Sequence, residues 1–195
     1  MRALDSKKTE ETVGKKGSLA LKEWAVVCQA LAEGKQIFLL RKGGIQEKEF
    51  ETKIDAFLLY PTLEHQSREE IKPEFEDLFR RYSSFDEEEF IPISHFGKII
   101  RDIPLTSREV LDSLFPYHVW TTEYIDKRWN YKPERPLHLL VLRVYKLQKG
   151  RLHDFEPRYA GCKSWVELSE TIPTEKGEPV LSDSEFQKKL AELKI

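Results

Sequence analysis

Residues Leu21–Gly44 read LKEWAVVCQALAEGKQIFLLRKGG and hold the clearest periodic signals in the chain. Apolar side chains recur at three- and four-residue spacing from Leu21 to Leu31, which predicts an amphipathic helix. Ser18 can cap its first turn, and Gly34 can end it in the left-handed conformation that closes many helices. The fold is therefore expected to contain a helix here that packs one apolar stripe against a core.

The second half of this stretch predicts a strand followed by a basic turn. Ile37–Arg41 is a short apolar run bounded by charge, as in a central strand. An alternative for the preceding residues makes Trp24–Ala30 a strand of a hairpin, but the Ala, Leu, Gln and Glu content of the stretch favours the helix. The turn offers two cations and two glycines whose backbone amides can approach an anion: Arg41, Lys42, Gly43 and Gly44. A solvated turn without a ligand is the alternative.

Four further strands are predicted where apolar residues alternate or run together: Phe50–Tyr60, Ile99–Ile103, Leu137–Leu147 and Trp165–Leu168. These strands do not alternate regularly with helices. The predicted fold class is therefore α+β, a single compact domain with helices packed on a mixed, largely antiparallel sheet. Leu137–Leu147 is the most apolar strand and is expected in the middle of the sheet. It places Arg143 on an apolar face, where a cation needs a partner or a ligand.

Changes in composition divide the chain into three parts. Residues 1–17 are charged and almost free of apolar side chains, which predicts a disordered N-terminal tail. Residues 18–170 carry the predicted α+β domain. Residues 171–195 are expected to form a linker and a C-terminal helix, because Ser182 and Glu185 have capping-box spacing.

Length and composition indicate one soluble domain in a reducing compartment. The chain has 195 residues, of which 34% are charged and 39% are hydrophobic. No apolar run approaches the roughly 20 residues of a membrane span, so no membrane association is expected. Cys28 and Cys162 form neither a metal pair nor a disulfide framework, which predicts a cytoplasmic protein. The five histidines show no metal-ligand spacing, so neither a metal nor another cofactor is expected.

The charge distribution favours a local, basic binding surface. The net charge of −2 argues against a strongly basic coat for duplex nucleic acid. Residues Tyr117–Pro136, YHVWTTEYIDKRWNYKPERP, nevertheless interleave aromatic and basic side chains. This pattern suits single-stranded nucleic acid, because bases stack on the rings while phosphates pair with the cations. The alternative is an amphipathic helix that buries Trp120 and Tyr124 and extends Arg128 along its surface.

Basic side chains near several predicted strand ends suggest one anion site. Sheet folds bring strand ends together at a rim, and ligands favour rims lined by cations and glycines. The predicted site comprises Arg41, Lys42, Gly43, Gly44, Tyr60, His65, Arg143 and Lys163. Its ligand is expected to be nucleic acid or a phosphorylated molecule.

Four sequence blocks together are similar to a known family: ALKEWAVVCQAL with GKQIFLLRKGGI, then FLLYPTLEHQ, PLHLLVLRVYKL and YAGCKSWVEL. The chain resembles the bacterial family catalogued as domain of unknown function 1802, from about Leu19 to Leu168. The resemblance implies an association with restriction–modification or defence systems. It supplies no catalytic residues to carry over.

These observations favour an anion-binding or nucleic-acid-binding module. One alternative is a hydrolase of the phosphodiesterase or nuclease type, with His65 as the base and Lys42, Arg143 and Lys163 stabilising anionic charge. A second alternative is a non-catalytic adaptor that binds a protein partner and whose aromatic residues belong to the core.

Overall fold

The computed structural model describes residues 18–42 and 56–195. The predicted tail at residues 1–17 and the first part of the predicted strand Phe50–Tyr60, residues 50–55, lie outside these ranges. Seven strands and five helices occur in the described chain, in the order β1 (Leu19–Trp24), α1 (Ala25–Ala32), β2 (Phe38–Lys42), β3 (Ala56–Thr62), α2 (Glu76–Tyr82), β4 (Phe90–Leu105), α3 (Arg108–Ser113), α4 (Thr122–Asn130), β5 (Leu137–Asp154), β6 (Trp165–Glu167), β7 (Glu178–Pro179) and α5 (Asp183–Glu192).

The strands form one mixed sheet in the order β2-β5-β4-β3-β1-β6, and β7 adds to β5. Strands β1 and β3 are parallel, whereas the other pairs are antiparallel. The sheet curls, because Arg41 on β2 contacts Glu23 on β1 although three strands separate β2 from β1 in the sheet. The predicted α+β class with a mixed, largely antiparallel sheet is confirmed.

The longest pairing joins β4 to β5. It runs from Phe90 opposite Asp154 to Leu105 opposite Leu137, with two irregularities in register. Strand β5 lies between β2 and β4, so its predicted place in the middle of the sheet is confirmed. It also extends beyond Leu147, because β4 supplies backbone partners for the polar residues that follow.

The helix predicted from Leu21 is wrong in its first turn. Residues Leu19–Trp24 form β1, which pairs with β3 on one side and β6 on the other, and α1 begins only at Ala25. Two-sided pairing satisfies the backbone of these residues and buries alternate side chains on opposite faces of the sheet. The predicted end of the helix is confirmed, since Gly34 has a φ of 64° and donates its N–H to Leu31 O at 3.0 Å.

Alternate residues of β3 enter two separate apolar clusters. In β3, Phe57 and Leu59 belong to the larger cluster, which also includes buried residues of all five helices. Leu58 and Tyr60 belong to the smaller cluster, which Tyr159 completes. The sheet is thus buried on both faces, which explains the nearly continuous apolar runs in β2, β3 and β5.

Leu140→Ala should lower the free energy of unfolding by about 2–5 kcal/mol, because it leaves a cavity in the larger apolar cluster. Leu152→Ala is the matched control on the same strand, since Leu140 is 1% exposed and Leu152 is 66% exposed. Urea unfolding of both variants measures the difference. Equal midpoints for the two variants would contradict the position of β5 in the core.

His118 makes the stability depend on pH. Its ring is buried, its Nδ1 accepts the Trp120 N–H at 3.2 Å, and Lys72 donates to its carbonyl oxygen at 2.7 Å. Burial, followed by the positive charge of Lys72, lowers the pKa of His118 from 6.5 to about 3. Burial also lowers the pKa of His95 to about 4. Both groups are therefore neutral in the folded protein when the unfolded chain begins to bind protons.

The free energy of unfolding should fall as the pH drops from 6.5 towards 3, by at most about 1.4 kcal/mol per pH unit and per group. The sign follows because the unfolded state binds the proton that the folded state excludes. His118→Asn keeps an acceptor for the Trp120 N–H and removes one titrating group, so the slope should become smaller. His95 and carboxylates with a lowered pKa, such as Glu156, should still contribute to the slope. Urea unfolding at several pH values tests this, and an unchanged slope in the variant would refute the assignment to His118.

Candidate functional site

The structure does not gather the predicted anion-site residues into one pocket. Arg41 and Lys42 lie near β1 and α4, Arg143 lies under α5, and the remaining described residues lie near the ends of β1 and β3. Gly43 and Gly44 lie outside the described residues. A ligand-binding role for each residue stays a prediction. The residues contact different elements of the fold and are described in turn below.

Arg41 and Lys42 are neighbours in sequence that contact different parts of the protein. Arg41 Nη1 donates to Lys22 O at 3.3 Å and lies 3.2 Å from Glu23 Oε2, so this guanidinium joins β2 to β1. Lys42 Nζ instead donates to the carbonyl oxygens of Trp129 at 2.9 Å and Arg135 at 3.1 Å. Lys42 is thereby held at the C-terminal end of α4.

Arg143 has its partners inside the chain. Its Nη2 donates to Asp183 Oδ1 at 2.8 Å, its Nη1 donates to Ser182 O at 3.2 Å, and its guanidinium lies 4.7 Å from the ring centre of Phe186. These contacts meet the need for a partner that the sequence indicates. The expectation that Arg143 converges with the other cations is wrong, because α5 covers it.

Three other predicted residues lie near the point where the parallel strands β1 and β3 both end. Tyr60 is buried against Tyr159, and burial raises the pKa of its hydroxyl, which keeps the phenol neutral. His65 is exposed and its Nε2 lies 3.4 Å from Cys162 Sγ. Lys163 donates to Arg158 O at 3.1 Å. Lys42 and Arg143 contact other elements, so the arrangement that the predicted hydrolase requires is not assembled.

The aromatic and basic segment forms a helix that is apolar on one side. Thr121 caps α4 by accepting the Tyr124 N–H at 3.3 Å. Trp120 is buried, and the half-buried Tyr124 ring stacks on it with a centroid distance of 5.8 Å. The alternative of an amphipathic helix is thus correct for these two aromatic residues. Trp129 is likewise half-buried and packs against the larger apolar cluster, whereas Tyr131 reaches the surface and is 51% exposed.

The end of α4 and the end of β2 together form a basic–aromatic surface, made of Lys42, Arg128, Trp129, Tyr131, Lys132 and Arg135. Lys42 Nζ lies 5.9 Å from the ring centre of Trp129, and Lys132 Nζ lies 5.1 Å from that of Tyr131. Four cations and two aromatic rings therefore share one surface, and the sequence between them supplies a single acid, Glu134.

The cations of this surface lie close enough to repel one another. Burial lowers the pKa of Lys42 most strongly, and the charge of Arg128 lowers it further, while Glu134 opposes both effects. The Arg128 Nε is buried, and it has no hydrogen-bond partner among residues 18–42 and 56–195. An anion bound here would offset this repulsion and could accept hydrogen bonds from the guanidinium.

Sequence reasoning did not find Lys22, a buried lysine on β1. Its Nζ donates to Glu64 Oε2 at 2.8 Å, to Tyr159 O at 3.0 Å and to Gly161 O at 3.1 Å. The sequence did contain a signal for this residue, because Lys22 directly follows the apolar residues Leu19, Ala20 and Leu21. The helical interpretation concealed this signal, because on a helix the same lysine would face solvent.

The described residues define a single α+β domain built on a curled, mixed sheet. Residues 20–192 match the profile of the family described as Domain of unknown function (DUF1802), and the chain belongs to this family. The resemblance inferred from four sequence blocks is therefore confirmed. The match also includes all of α5, beyond the last of those blocks.

Two solved structures resemble the fold, and both are mutant forms of the ZmASCH protein from Zymomonas mobilis. The first has a TM-score of 0.47 at 9% identity and covers 92% of this chain and 98% of that chain. The second has a TM-score of 0.45 at 10% identity and covers 90% and 98%, respectively. Likeness at this level says nothing about what the chain binds.

A comparison with curated proteins gave no significant match. Within residues 18–42 and 56–195, no helix is both long enough and apolar enough to cross a membrane.

Arg143→Met should destabilise the protein by about 1–3 kcal/mol, because it removes charge-assisted hydrogen bonds to the first residues of α5. The loss should come mainly from the Ser182 carbonyl and the Phe186 ring, since the Asp183 side chain is fully exposed and its ion pair is screened by water. Arg151→Met, on the exposed end of the same strand, is the control. Hydrogen exchange should show faster opening of α5 in the first variant alone, and equal exchange in both would contradict this role.

Proposed function

We propose that this protein binds single-stranded nucleic acid on its basic–aromatic surface. The observation that carries the proposal is the placement of Lys42 against the end of α4, at 2.9 Å from Trp129 O. This contact joins the basic end of β2 to the C-terminal end of the aromatic segment. The sequence suggested these two features separately.

The surface offers both components of single-strand binding. Tyr131 is exposed and lies in the turn after α4, so a base can stack on its ring. Lys132 and Arg135 flank this ring and are exposed, which places two cations where the neighbouring phosphates of a bound strand would pass. Arg128 and Lys42 lie at the inner edge, where they can reach a further phosphate.

The geometry favours a single strand over a duplex. Duplex binding requires a broad basic face, whereas this protein has a net charge of −2 and the basic–aromatic surface offers only four cations. Trp120 is buried, and Tyr124 and Trp129 pack against the core, so the exposed stacking platform is Tyr131. A short single-stranded segment of a few nucleotides fits this platform.

The restriction–modification or defence setting implied by the family is part of the proposal, because single strands arise when DNA is processed. A phosphorylated small molecule is the second candidate ligand, because an anion would offset the repulsion between Lys42 and Arg128. The adaptor alternative differs from both proposals, because a protein adaptor would not need to bind an anion on this surface.

Tyr131→Ala should weaken binding of a fluorescent oligothymidylate by about 1–3 kcal/mol, because the variant loses one stacked base. Lys132→Glu with Arg135→Glu should weaken binding further and reduce the slope of log affinity against log salt by about 1.4, as expected for two lost phosphate contacts on a single strand. Fluorescence anisotropy across a salt series measures both effects.

Lys149→Glu with Lys188→Glu is the matched control, since both lysines are exposed and lie away from α4, on β5 and α5. This control should bind like the unmodified protein. Equal loss in the two double variants would mean that only net charge matters, and the surface would be rejected. Displacement of the oligonucleotide by low concentrations of a mononucleotide would favour the small-molecule ligand, and no binding by the unmodified protein at low salt would favour the adaptor.

A further inference from the structure

A group of three potential metal ligands lies where the parallel strands β1 and β3 end, on residues that the proposed nucleic-acid surface does not use. Cys162 Sγ is 3.4 Å from His65 Nε2, and Glu64 Oε1 is 3.9 Å from the same nitrogen. All three ligand atoms lie within 4.8 Å of one another. Thiolate, imidazole and carboxylate are the three side-chain ligands that zinc takes in proteins.

We propose that Glu64, His65 and Cys162 bind one Zn²⁺ ion. Bond lengths of about 2.3 Å to sulfur and 2.0–2.1 Å to nitrogen, at a tetrahedral angle, place the two ligand atoms about 3.5 Å apart. The observed separation of 3.4 Å between Cys162 Sγ and His65 Nε2 matches this value. Glu64 Oε1 lies 3.9 Å from His65 Nε2 and within 4.8 Å of Cys162 Sγ, so the carboxylate has to move towards both atoms by about 1 Å or less. A rotation of the partly exposed Glu64 side chain permits this movement.

Lys22 holds the two sides of the site in place. Its buried Nζ donates to Glu64 Oε2 on one side and to the carbonyl oxygen of Gly161, next to Cys162, on the other. The second carboxylate oxygen, Oε1, therefore faces His65. Hydrogen bonds from outer groups to ligating carboxylates orient metal sites in this way. Because Lys22 is only 6% exposed, its position depends on the fold and not on the ion.

The backbone at both ends of the site adopts unusual conformations. His65 has a φ of 60°, which is uncommon for a residue other than glycine and turns its ring back towards Cys162. Gly161 has a φ of 86°, which a side chain would strain. Neither conformation belongs to a helix or strand. Unusual backbone conformations of this kind often occur at functional sites, where they position the side chains.

The proposed site leaves one coordination position open. Cys162 and His65 are exposed, so water or an external ligand can reach the ion as the fourth ligand of a tetrahedral site. The thiolate and the carboxylate together balance the two positive charges of Zn²⁺. The charge of Lys22 remains, so the open position favours an anionic or electron-rich ligand.

The other cysteine provides a contrast within the same chain. Cys28 is buried in α1, and burial raises the pKa of its thiol. Its Sγ contacts the Glu23 backbone carbonyl at 3.6 Å. Cys28 therefore remains a protonated core residue, and any metal–thiolate signal from the folded protein should come from Cys162.

Titration of the full-length, reduced protein with Co²⁺ tests the proposal, because Co²⁺ takes zinc sites and gives a thiolate-to-metal charge-transfer band. We expect this band to saturate at one ion per chain and to disappear when Zn²⁺ is added. Cys162→Ser should abolish the band, and His65→Ala should weaken Zn²⁺ binding by at least about tenfold in competition with a chromophoric chelator. Cys28→Ala is the matched control and should keep both the band and the affinity.

Circular dichroism of each variant verifies folding, and the exposed positions of Cys162 and His65 make a loss of fold unexpected. No charge-transfer band in the unmodified protein, or the same band after Cys162→Ser, would overturn the proposal and leave only a contact between a thiol and an imidazole. Oligonucleotide binding should be unchanged in Cys162→Ser, so failure of the metal site and failure of the nucleic-acid surface can be distinguished.

Discussion

The antiparallel pairing of β4 with β5 is the constraint on which the other strands depend. The two strands span 16 and 18 residues, and their register holds from one end to the other apart from two irregularities. Strand β2 adds to one side of this pair, and β3, β1 and β6 add to the other. Because such irregularities increase twist and bend a strand, the sheet can curl until Arg41 reaches Glu23. Both strand-end surfaces, the basic–aromatic surface and the group around Cys162, are positioned by this curl.

Sequence reasoning succeeded where burial on two faces leaves a continuous apolar run, as it does in β2 and β5. It failed at β1, because Leu21 and Trp24 are three residues apart, which fits the spacing of a helix better than the period of two of a strand. What makes these residues a strand is their pairing with β3 and β6, which follow them by tens to more than a hundred residues in the chain. The polar end of β5 was missed for the same reason, since its hydrogen bonds come from β4.

The candidate sites show the same limit. The sequence identified cations near strand ends, but the partner of a cation is a property of the fold. Arg143 is paired by α5, and Lys42 is paired by the end of α4, although both were expected at one rim. His65 and Cys162 are 97 residues apart in sequence and match no known ligand spacing. Their contact becomes visible only in the structure, where β1 and β3 are parallel and the loop after Tyr159 lies near their ends. Aromatic and basic patterning was more informative, because it indicated α4 and its exposed end directly.

The pairing of β1 with β6 has a consequence for how the protein is made. During translation β1 emerges more than a hundred residues before its antiparallel partner, Trp165–Glu167. Until then, Leu21 and the other apolar residues of β1 lack one neighbour, and the edge of the strand is open to other chains. Contacts between such distant segments also slow folding, since a long loop must close before they form. Efficient folding in the cell therefore depends on protecting the edge of β1 until β6 has been made.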